Sequence, residues 1–404
     1  MSTPRLYHDD PLLLSFQATV AAHGQLGQSR SILLDRTAFY PESGGQMADR
    51  GALGGARVID VQVDDAGIVH HVLEGELPAV GAAVSGEIDR DRRRLHMALH
   101  TAQHMLSRAL ADIAGAETVS ARLGETACTV DVELMKRAGG EATLSERHVA
   151  EAEDLVNSVI DDDRTVRAFF PSAEELRALP LRRAPKVTDN VRVVDIGGFD
   201  VSPCGGTHCN RTAQVGLLHV SGMERYKGKM RVTFNAGRRA RRELSTSGEA
   251  LRAVARELTC GPSDVGGAVD KLRRELTESK DAAKRYGARL AEACAGELLA
   301  RAATTGSPHV IAAFDDVSVD FLRSVGSRVT AGETAAVALI AGRAAEGTSV
   351  LVARGASSAF DCGAFLKRAA AASGGRGGGK PDRAEGRLPA EVDWPALVAE
   401  LLRA

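Results

Sequence analysis

Residues 94 to 114 read RLHMALHTAQHMLSRALADIA, and the organisation of the chain is best understood outward from this stretch. Its apolar residues recur with the period of an α-helix, which predicts a helix over residues 90 to 114. His100 and His104 are four positions apart, so both imidazoles project from one side of that helix and can bind one metal ion. Taken alone, such a pair is more often solvated or packed against its neighbours.

A second pattern, CGGTH, runs from Cys204 to His208. Its two glycines allow a tight turn that can direct a thiolate and an imidazole to the same ion, although alone it could be a turn with an incidental cysteine. Together the two patterns offer four ligands of the types that zinc prefers, so we expect His100, His104, Cys204 and His208 to bind one zinc ion. A redox pair of Cys204 and Cys209 is the alternative, and it would leave the helix histidines unexplained.

The composition is that of an ordinary soluble globular protein. The chain has 404 residues, of which 44% are hydrophobic and 26% charged, and this length predicts two to four domains. A net charge of −2 gives no overall attraction for a polyanion, so a nucleic-acid surface would need local clusters of basic residues. The absence of a long apolar stretch, of a signal-like start and of a cysteine framework predicts a cytosolic protein with no membrane segment.

The pattern of elements predicts an α+β chain in four parts. Residues 1–90 alternate short β-branched runs with turns, which is typical of a small β-barrel or sandwich, and we expect the barrel. Residues 91–236 mix helices and strands in an α+β core that contains the zinc ligands. Residues 237–303 are expected to form a helical hairpin, and residues 304–404 a compact C-terminal α/β domain.

Two helices are predicted for the hairpin. The first is expected to be capped by Ser247 and to end near Leu258, and the second to open at residues 261–264. The second carries apolar residues at roughly heptad spacing from Val265 to Leu290. A spacer is the default interpretation of this segment. A homodimer contact through these helices or the C-terminal domain is the bolder one.

A glycine turn in the N-terminal part is the third notable motif. The segment TAFYPESGGQ runs from Thr37 to Gln46 and ends in Gly44, Gly45 and the Gln46 amide. Glycines let a ligand approach the backbone closely, and an amide can both donate and accept hydrogen bonds. As an isolated string it could equally be a strand followed by a turn.

Two basic segments are candidates for contacts with RNA. In an unbroken strand, alternate residues share one face, whereas Gly228 could instead make the first segment a turn. The glycine run at residues 373–382 offers free backbone N–H groups beside positive charge, and a flexible linker is its alternative. The candidate contacts are Arg225, Lys227, Lys229 and Arg231 in the first segment, and Arg376 and Lys380 in the second.

The motifs FYPESGGQ, HTAQH and PCGGTH, with the glycine run before residues 380–382, carry a family resemblance. Together they resemble the editing half of alanyl-tRNA synthetase and its free-standing relatives, the AlaX proteins. The hairpin and final domain occupy the place of the synthetase's C-Ala region, so the chain is similar to long-form AlaX. The chain begins at the β-rich part, so tRNA charging is not expected. It has Ser43 where AlaX proteins often have a third glycine, and Arg376 interrupts the C-terminal run.

The resemblance implies a trans-editing hydrolase that deacylates alanine tRNA mischarged with serine or glycine. It implies that His100, His104, Cys204 and His208 bind zinc, that Gln46, Gly44 and Gly45 line the amino-acid pocket, and that Thr37 meets the serine hydroxyl. Zinc could activate water or only position the ester, and four protein ligands are also what a structural zinc has. A non-catalytic zinc-containing tRNA-binding module and a same-fold esterase for another aminoacyl-tRNA are the alternatives.

Overall fold

A computed structural model describes residues 3–134, 144–185 and 187–403. The chain divides into two compact units, Met1–Ala253 and Val254–Ala404. The first unit contains helices and several sheets, and the second contains helices and one sheet, which confirms the predicted combination of helices and sheets. The finer division into four parts stays a prediction.

The first unit begins with six strands whose pairing closes into a barrel in the order β1-β2-β5-β4-β3-β6. Side chains alternate along β1, so Phe16, Ala18 and Val20 are buried while their neighbours are exposed. Gly86 on β6 leaves room for the Phe16 ring, because a Cβ there would lie 2.3 Å from a ring carbon. The strands are β1 Ser15–Leu26, β2 Ser29–Leu34, β3 Gly51–Leu53, β4 Ala56–Val63, β5 Val69–Glu74 and β6 Ala83–Ile88.

Helix α1, Arg90–Ala114, follows the barrel, as the periodicity predicted. The Asp89 side chain caps its start by accepting from the Arg92 N–H, and left-handed Gly115 ends it. The helix is buried along most of its length, with Leu99 and Leu106 fully enclosed. It packs against a sheet of order β12-β13-β8-β7. These strands are β7 Ala116–Leu123, β8 Cys128–Leu134, β12 Leu218–Tyr226 and β13 Lys229–Ala236.

A small sheet of order β11-β10-β9 supplies the second half of the candidate site. Its third strand, β11, ends at Pro203, directly before the CGGTH segment. Two helices precede β10, and the longer of them packs against α1. The elements are α2 Glu146–Asp161, β9 Val166–Phe169, α3 Ala173–Ala178, β10 Val193–Ile196 and β11 Asp200–Pro203.

Helix α4, Gly237–Glu257, starts ten residues before the predicted cap, so the prediction that Ser247 begins it is wrong. Left-handed Gly237 turns the chain out of β13, and the following run of arginine, alanine, glutamate and leucine favours a helix. Ser247 therefore lies inside the helix. Helix α5, Val265–Thr305, opens after Pro262–Asp264, as predicted, while a hairpin packing of the two helices stays a prediction.

The second unit contains a five-stranded sheet of order β14-β15-β16-β18-β17, in which only the β14 and β15 pair is parallel. Trp394 and Phe365 are buried in its core. The strands are β14 His309–Asp315, β15 Val337–Ala344, β16 Gly347–Arg354, β17 Arg376–Gly379 and β18 Arg383–Leu388. The helices are α6 Val319–Gly332, α7 Cys362–Ser373 and α8 Trp394–Arg403.

The glycine run is a strand rather than a loop, so the linker interpretation is wrong for residues 376–379. Arg376–Gly379 pairs with β18 at the edge of the sheet. A Cβ on Gly379 would lie 2.3 Å from the Arg383 carbonyl oxygen, so glycine is required there for the close approach of the two backbones. Within the described parts of the chain, no helix is long and apolar enough to cross a membrane.

Candidate metal centre

One thiol and three imidazoles meet at a single point of the first unit. The ligand atoms of His100, His104, Cys204 and His208 all lie within 4.8 Å of one another. The Cys204 Sγ is 3.4 Å from Nε2 of His100 and 3.4 Å from Nε2 of His208. Helix α1 supplies two of the ligands and the segment after β11 supplies the other two, so the structure brings together all four residues predicted to bind the metal.

A hydrogen bond fixes the orientation of each imidazole, because its outer nitrogen is bound by a protein group. The Thr101 hydroxyl donates to the Met97 carbonyl, so its oxygen is left to accept from His208. Each Nε2 is thereby free to face the centre, which is the usual arrangement around a metal-bound histidine. The pairs are His100 Nδ1 with Gln46 Oε1 at 2.7 Å, His104 Nδ1 with Asp200 Oδ2 at 3.0 Å, and His208 Nδ1 with Thr101 Oγ1 at 3.2 Å.

Asp200 is itself held by a buried network. Arg182 donates through Nε to its Oδ1 at 2.6 Å, and the Ser202 hydroxyl lies 3.0 Å from its Oδ2. Burial alone would raise the pKa of Asp200, but the hydrogen bond from His104 and the Arg182 guanidinium hold it well below its usual range. The carboxylate is therefore ionised and keeps the Nδ1 proton of His104 in place.

The CGGTH segment approaches helix α1 closely at its second glycine. A Cβ on Gly206 would lie 2.1 Å from Cε1 of His100, whereas a Cβ on Gly205 would meet nothing within 4 Å. Buried Arg192 braces this segment from behind by donating to the carbonyl oxygens of Cys204 and Gly206. Close contact with His100 therefore explains the need for the second glycine and not for the first.

The donor set fits zinc. Burial by itself would raise the pKa of the Cys204 thiol, but the adjacent imidazoles of His100, His104 and His208 hold it well below its usual value. Burial lowers the pKa of His208 to about 3, so that imidazole is neutral at pH 7. Burial acts in the same direction on His104, but the adjacent Cys204 and Asp200 outweigh it and raise the pKa of that imidazole. A thiolate with neutral imidazoles is the form in which these side chains bind a metal, and one Cys with three His is a soft to borderline set of the kind zinc takes.

The glycine turn reaches the cluster through Gln46. Its Oε1 accepts from His100 and, at 3.2 Å, from the Thr207 N–H, and its Nε2 donates to Thr207 Oγ1 at 2.8 Å. Gly44 and Gly45 have positive φ angles of 59° and 88°, and a Cβ on Gly45 would lie 2.3 Å from the Ala121 carbonyl oxygen. The turn thus packs against β7 and holds a fully buried amide whose two ends are both hydrogen-bonded.

Thr37 is buried beside His71, and none of its hydrogen bonds goes to the four-residue cluster. Nδ1 of His71 donates to the Ile32 carbonyl, so its Nε2 accepts from the Thr37 hydroxyl at 2.8 Å. The Phe39 N–H also donates to Thr37 Oγ1. The Thr37 hydroxyl therefore donates one hydrogen bond and accepts one, which leaves one lone pair of its oxygen for another donor.

The basic residues at 225–231 do not lie on one strand. They belong to a β12–β13 hairpin whose turn has Lys227 and Gly228 at positive φ, so the one-strand arrangement is wrong and the turn alternative is right. Arg231 forms a two-point ion pair with Asp131, and Lys229 pairs with Glu133. Both charges are already matched within the protein, because the acids face them from β8.

The predicted C-terminal contacts lie in the second unit. Arg376 begins the edge strand β17, and Lys380 lies in the turn to β18, where its backbone pairs with Arg383. Both side chains are exposed.

Cys209, the partner in the redox alternative, is a core residue. All six cysteines are free, and Cys209 packs in the hydrophobic core of the first unit. Burial raises the pKa of its thiol to about 12. A thiol that stays protonated is a poor redox partner, since the thiolate is the reactive form.

Several residues that organise the centre were not predicted to do so; Thr101 and Thr207 lie inside the HTAQH and CGGTH motifs, and the others lie outside any motif. Asp200, Thr101 and Thr207 hold the imidazoles and the Gln46 amide, and Arg182 and Arg192 support them. An acid in a short apolar strand, as in the DVSP of residues 200–203, was the one available signal, because a buried carboxylate requires partners.

Comparisons with known proteins agree on one relationship. Family models match for tRNA synthetases class II (A) at residues 12–92, the threonyl and alanyl tRNA synthetase second additional domain at residues 191–233, and the DHHA1 domain at residues 307–404. The alanine-tRNA ligase of Archaeoglobus fulgidus is 30% identical over 100% of this chain and 44% of its own length. The alanine-tRNA ligase of Ignicoccus hospitalis is 31% identical over 99% of this chain and 43% of its own length.

The chain thus spans less than half the length of these curated relatives. Among solved structures, the C-Ala domain from Aquifex aeolicus alanyl-tRNA synthetase matches 24% of this chain and 91% of its own, with 20% identity and a TM-score of 0.22.

Proposed function

This chain is related to the alanyl-tRNA synthetases over its whole length, and from that relationship we propose that it is a trans-editing hydrolase of long-form AlaX type. Its substrate would be the ester between serine, or glycine, and the terminal adenosine of alanine tRNA. The single observation that carries the proposal is the buried cluster of His100, His104, Cys204 and His208 beside the Gln46 turn.

The cluster would hold one zinc ion. Bound there, zinc would supply the Lewis acidity that polarises an ester carbonyl or activates a water molecule. The chain's own groups do the rest: Gln46, Asp200 and Thr101 hold the outer protons of the three imidazoles, so the ligand geometry is set before substrate arrives. Fixed geometry of this kind avoids reorganisation during the reaction.

Discrimination against alanine would depend on the serine hydroxyl. A site that hydrogen-bonds a substrate hydroxyl rejects an analogue lacking it by a factor of about 10⁴, far more than size alone achieves. Thr37 can act only as an acceptor in such a contact, because its own hydroxyl proton is donated to His71. The predicted role therefore requires the serine hydroxyl to donate to the remaining lone pair of Thr37, a residue that is fully buried in this structure.

A zinc that is only structural is the second candidate, and one observation favours it. The cluster already offers four protein ligands, and a filled tetrahedron is typical of structural zinc. In that case the chain would be a tRNA-binding module.

A further proposal is contact between two copies of the chain through helix α5. It is supported by four exposed apolar side chains on that helix, Leu272, Leu276, Tyr286 and Leu290.

The test compares release of serine, glycine and alanine from alanine tRNA and from an unrelated tRNA by the full-length protein. Editing predicts release of serine or glycine from alanine tRNA only. No release by protein that carries one zinc per chain would refute hydrolysis and leave the binding module, whereas equal release from both tRNAs would indicate a less specific esterase.

Two cysteine variants provide the matched comparison. Cys204→Ala removes a ligand and is expected to lose both zinc and deacylation. Cys209→Ala changes a core thiol five positions away and is expected to retain both. Deacylation by a zinc-free Cys204→Ala protein would contradict the proposed role of the cluster.

A further inference from the structure

A cleft lined by arginines lies next to the cluster in the first unit. Its volume is about 580 Å³, and it is formed by the first turns of α1 and α4. The side chains that define it are Arg92, Arg94, Arg238, Arg239 and Arg242, together with His96. We propose that this cleft binds the phosphate groups of an RNA strand close to its aminoacylated end, a proposal that rests on the editing function.

The charge of the cleft is strongly positive in a chain whose net charge is −2. Against its five arginines stand two acids, Asp91 and Glu125, which leaves a formal charge of +3. Asp91 pairs with exposed Arg238, and Glu125 with Arg92, while Arg94 and Arg242 are exposed. Guanidinium groups bind phosphate oxygens bidentately, so this surface is suited to phosphodiesters.

His96 gives independent support for a bound ligand. Its side chain is 2% exposed and lines the cleft, and its Nδ1 has no hydrogen-bond partner among the described residues. A buried polar atom left unpaired is costly, so such atoms nearly always have a partner. As an N–H, Nδ1 can donate to a phosphate oxygen, which would satisfy it when RNA is bound.

The backbone contributes in the same direction. Gly237 and Arg239 belong to the first turn of α4, and both line the cleft. The N–H of Gly237 donates to the Leu217 carbonyl, whereas the N–H groups that follow it in the first turn have no intrahelical acceptors and lie at the positive end of the helix dipole, which favours anions. Arg239 is fixed there by donating to the carbonyl oxygens of Gly124 and Glu125.

The position of the cleft selects RNA over a free anion. His96 precedes His100 by four residues, so it lies about 6 Å further back along the axis of α1, roughly one helical turn, and on the same side of the helix as the metal ligand. A strand whose terminal ester is at the cluster would therefore bring its next phosphates over His96 and the arginines. Inorganic phosphate would gain nothing from this proximity.

The test measures binding of uncharged alanine tRNA, which needs no hydrolysis. The full-length protein is titrated by fluorescence anisotropy at several KCl concentrations. The double variant Arg94→Ala with Arg242→Ala is expected to bind at least tenfold more weakly and to reduce the salt slope by about 1.4, since each lost phosphate contact removes about 0.7. The control, Arg108→Ala with Arg147→Ala, removes one half-buried and one exposed arginine from helical ion pairs and is expected to bind normally.

His96→Phe keeps an aromatic ring but removes both ring nitrogens, and it is expected to weaken binding severalfold, with zinc content unchanged. Unaltered affinity and salt slope in the arginine variant, or equal weakening in the control, would overturn the cleft. Tighter binding of inorganic phosphate than of RNA would also overturn it. If the arginine variant loses RNA affinity although the wild-type protein deacylates nothing, the RNA-binding role of the cleft is supported and the editing function is refuted. If the arginine variant still edits and binds RNA with unchanged affinity, the editing function is supported and the RNA-binding role of the cleft is refuted.

Discussion

The second glycine of the CGGTH segment gives the sharpest test of the metal centre. In a Gly206→Ala variant the new Cβ would lie 2.1 Å from Cε1 and 2.4 Å from Nδ1 of His100, where ordinary contacts begin at 3.4 Å. His100 or the loop must therefore retreat by about 1 Å. Metal–ligand distances tolerate only about 0.2 Å, so the displacement removes His100 from the ligand set.

The same displacement disturbs Gln46, whose Oε1 would be 3.1 Å from the new methyl group and already accepts from His100. We expect zinc affinity to fall by about 100-fold or more, since loss of an outer-shell partner alone costs about 10- to 100-fold. The measurement is competition with a chromophoric chelator at fixed pH, with a thermal melt to show that the variant is folded. Gly205→Ala is the matched control, because its Cβ meets nothing within 4 Å. Equal zinc affinity in the two variants would refute this account of the site.

Three further predictions concern the groups around the centre. Asp200→Asn removes the charge that holds His104 and is expected to lower zinc affinity about 10- to 100-fold. Chelator competition measures this affinity, and Asp195→Asn on the neighbouring strand is the control. Equally weak zinc binding by the two variants would contradict the prediction. Thr37→Val leaves a nitrogen of His71 unpaired, so it should reduce both the melting temperature and the preference for serine over alanine. Thr37→Ser keeps the hydroxyl and should retain both. Deacylation by Thr37→Val with unchanged selectivity would argue against a substrate contact. Burial lowers the pKa of His71 from 6.5 to about 4, so the stability that the neutral ring contributes is complete above pH 6.5 and is lost as the pH falls to 4, by about 3 kcal/mol at most. In denaturant unfolding, the free energy of unfolding of His71→Gln should fall less over this range than that of the wild-type protein. An identical fall in the two proteins would exclude His71 as the cause.

The ligand set could be predicted because its decisive features are local. The spacing of His100 and His104 fixes their common side as soon as α1 is helical, and the periodicity of residues 90–114 predicts that helix without knowledge of the rest. Cys204 and His208 are equally local. That the two pairs converge is a tertiary fact, and ligand chemistry alone indicated it.

The support for the imidazoles could not be predicted in the same way. Thr101 and Asp200 hold rings that are distant in sequence. Thr101 lies inside the HTAQH motif, but the motif does not indicate that its hydroxyl would hold His208. Gln46 was predicted from its motif to bind substrate. In the structure its amide is occupied by His100 and Thr207, so its hydrogen-bonding geometry has a positioning role that the motif alone did not indicate.

Two of the errors in the fold, other than the cap predicted at Ser247, occur at a glycine run and at a lysine. Residues 376–379 have almost no side chains, so they carry no alternation, and their pairing is determined by β18. Lys227 adopts a left-handed conformation, which the sequence does not predict for a lysine. This conformation makes residues 225–231 a hairpin rather than one strand. In both cases the partner strand, and not the local sequence, decides the structure.

The burial of the four ligands indicates where a substrate would have to approach. The three imidazoles are each at most 3% exposed, whereas Cys204 is only partly buried. Gly205, next to it, has open space where a side chain would be, and Gly206 does not. We therefore expect a substrate of the proposed hydrolase to approach on the side of Cys204 and Gly205, because the space beside Gly206 is already filled by His100.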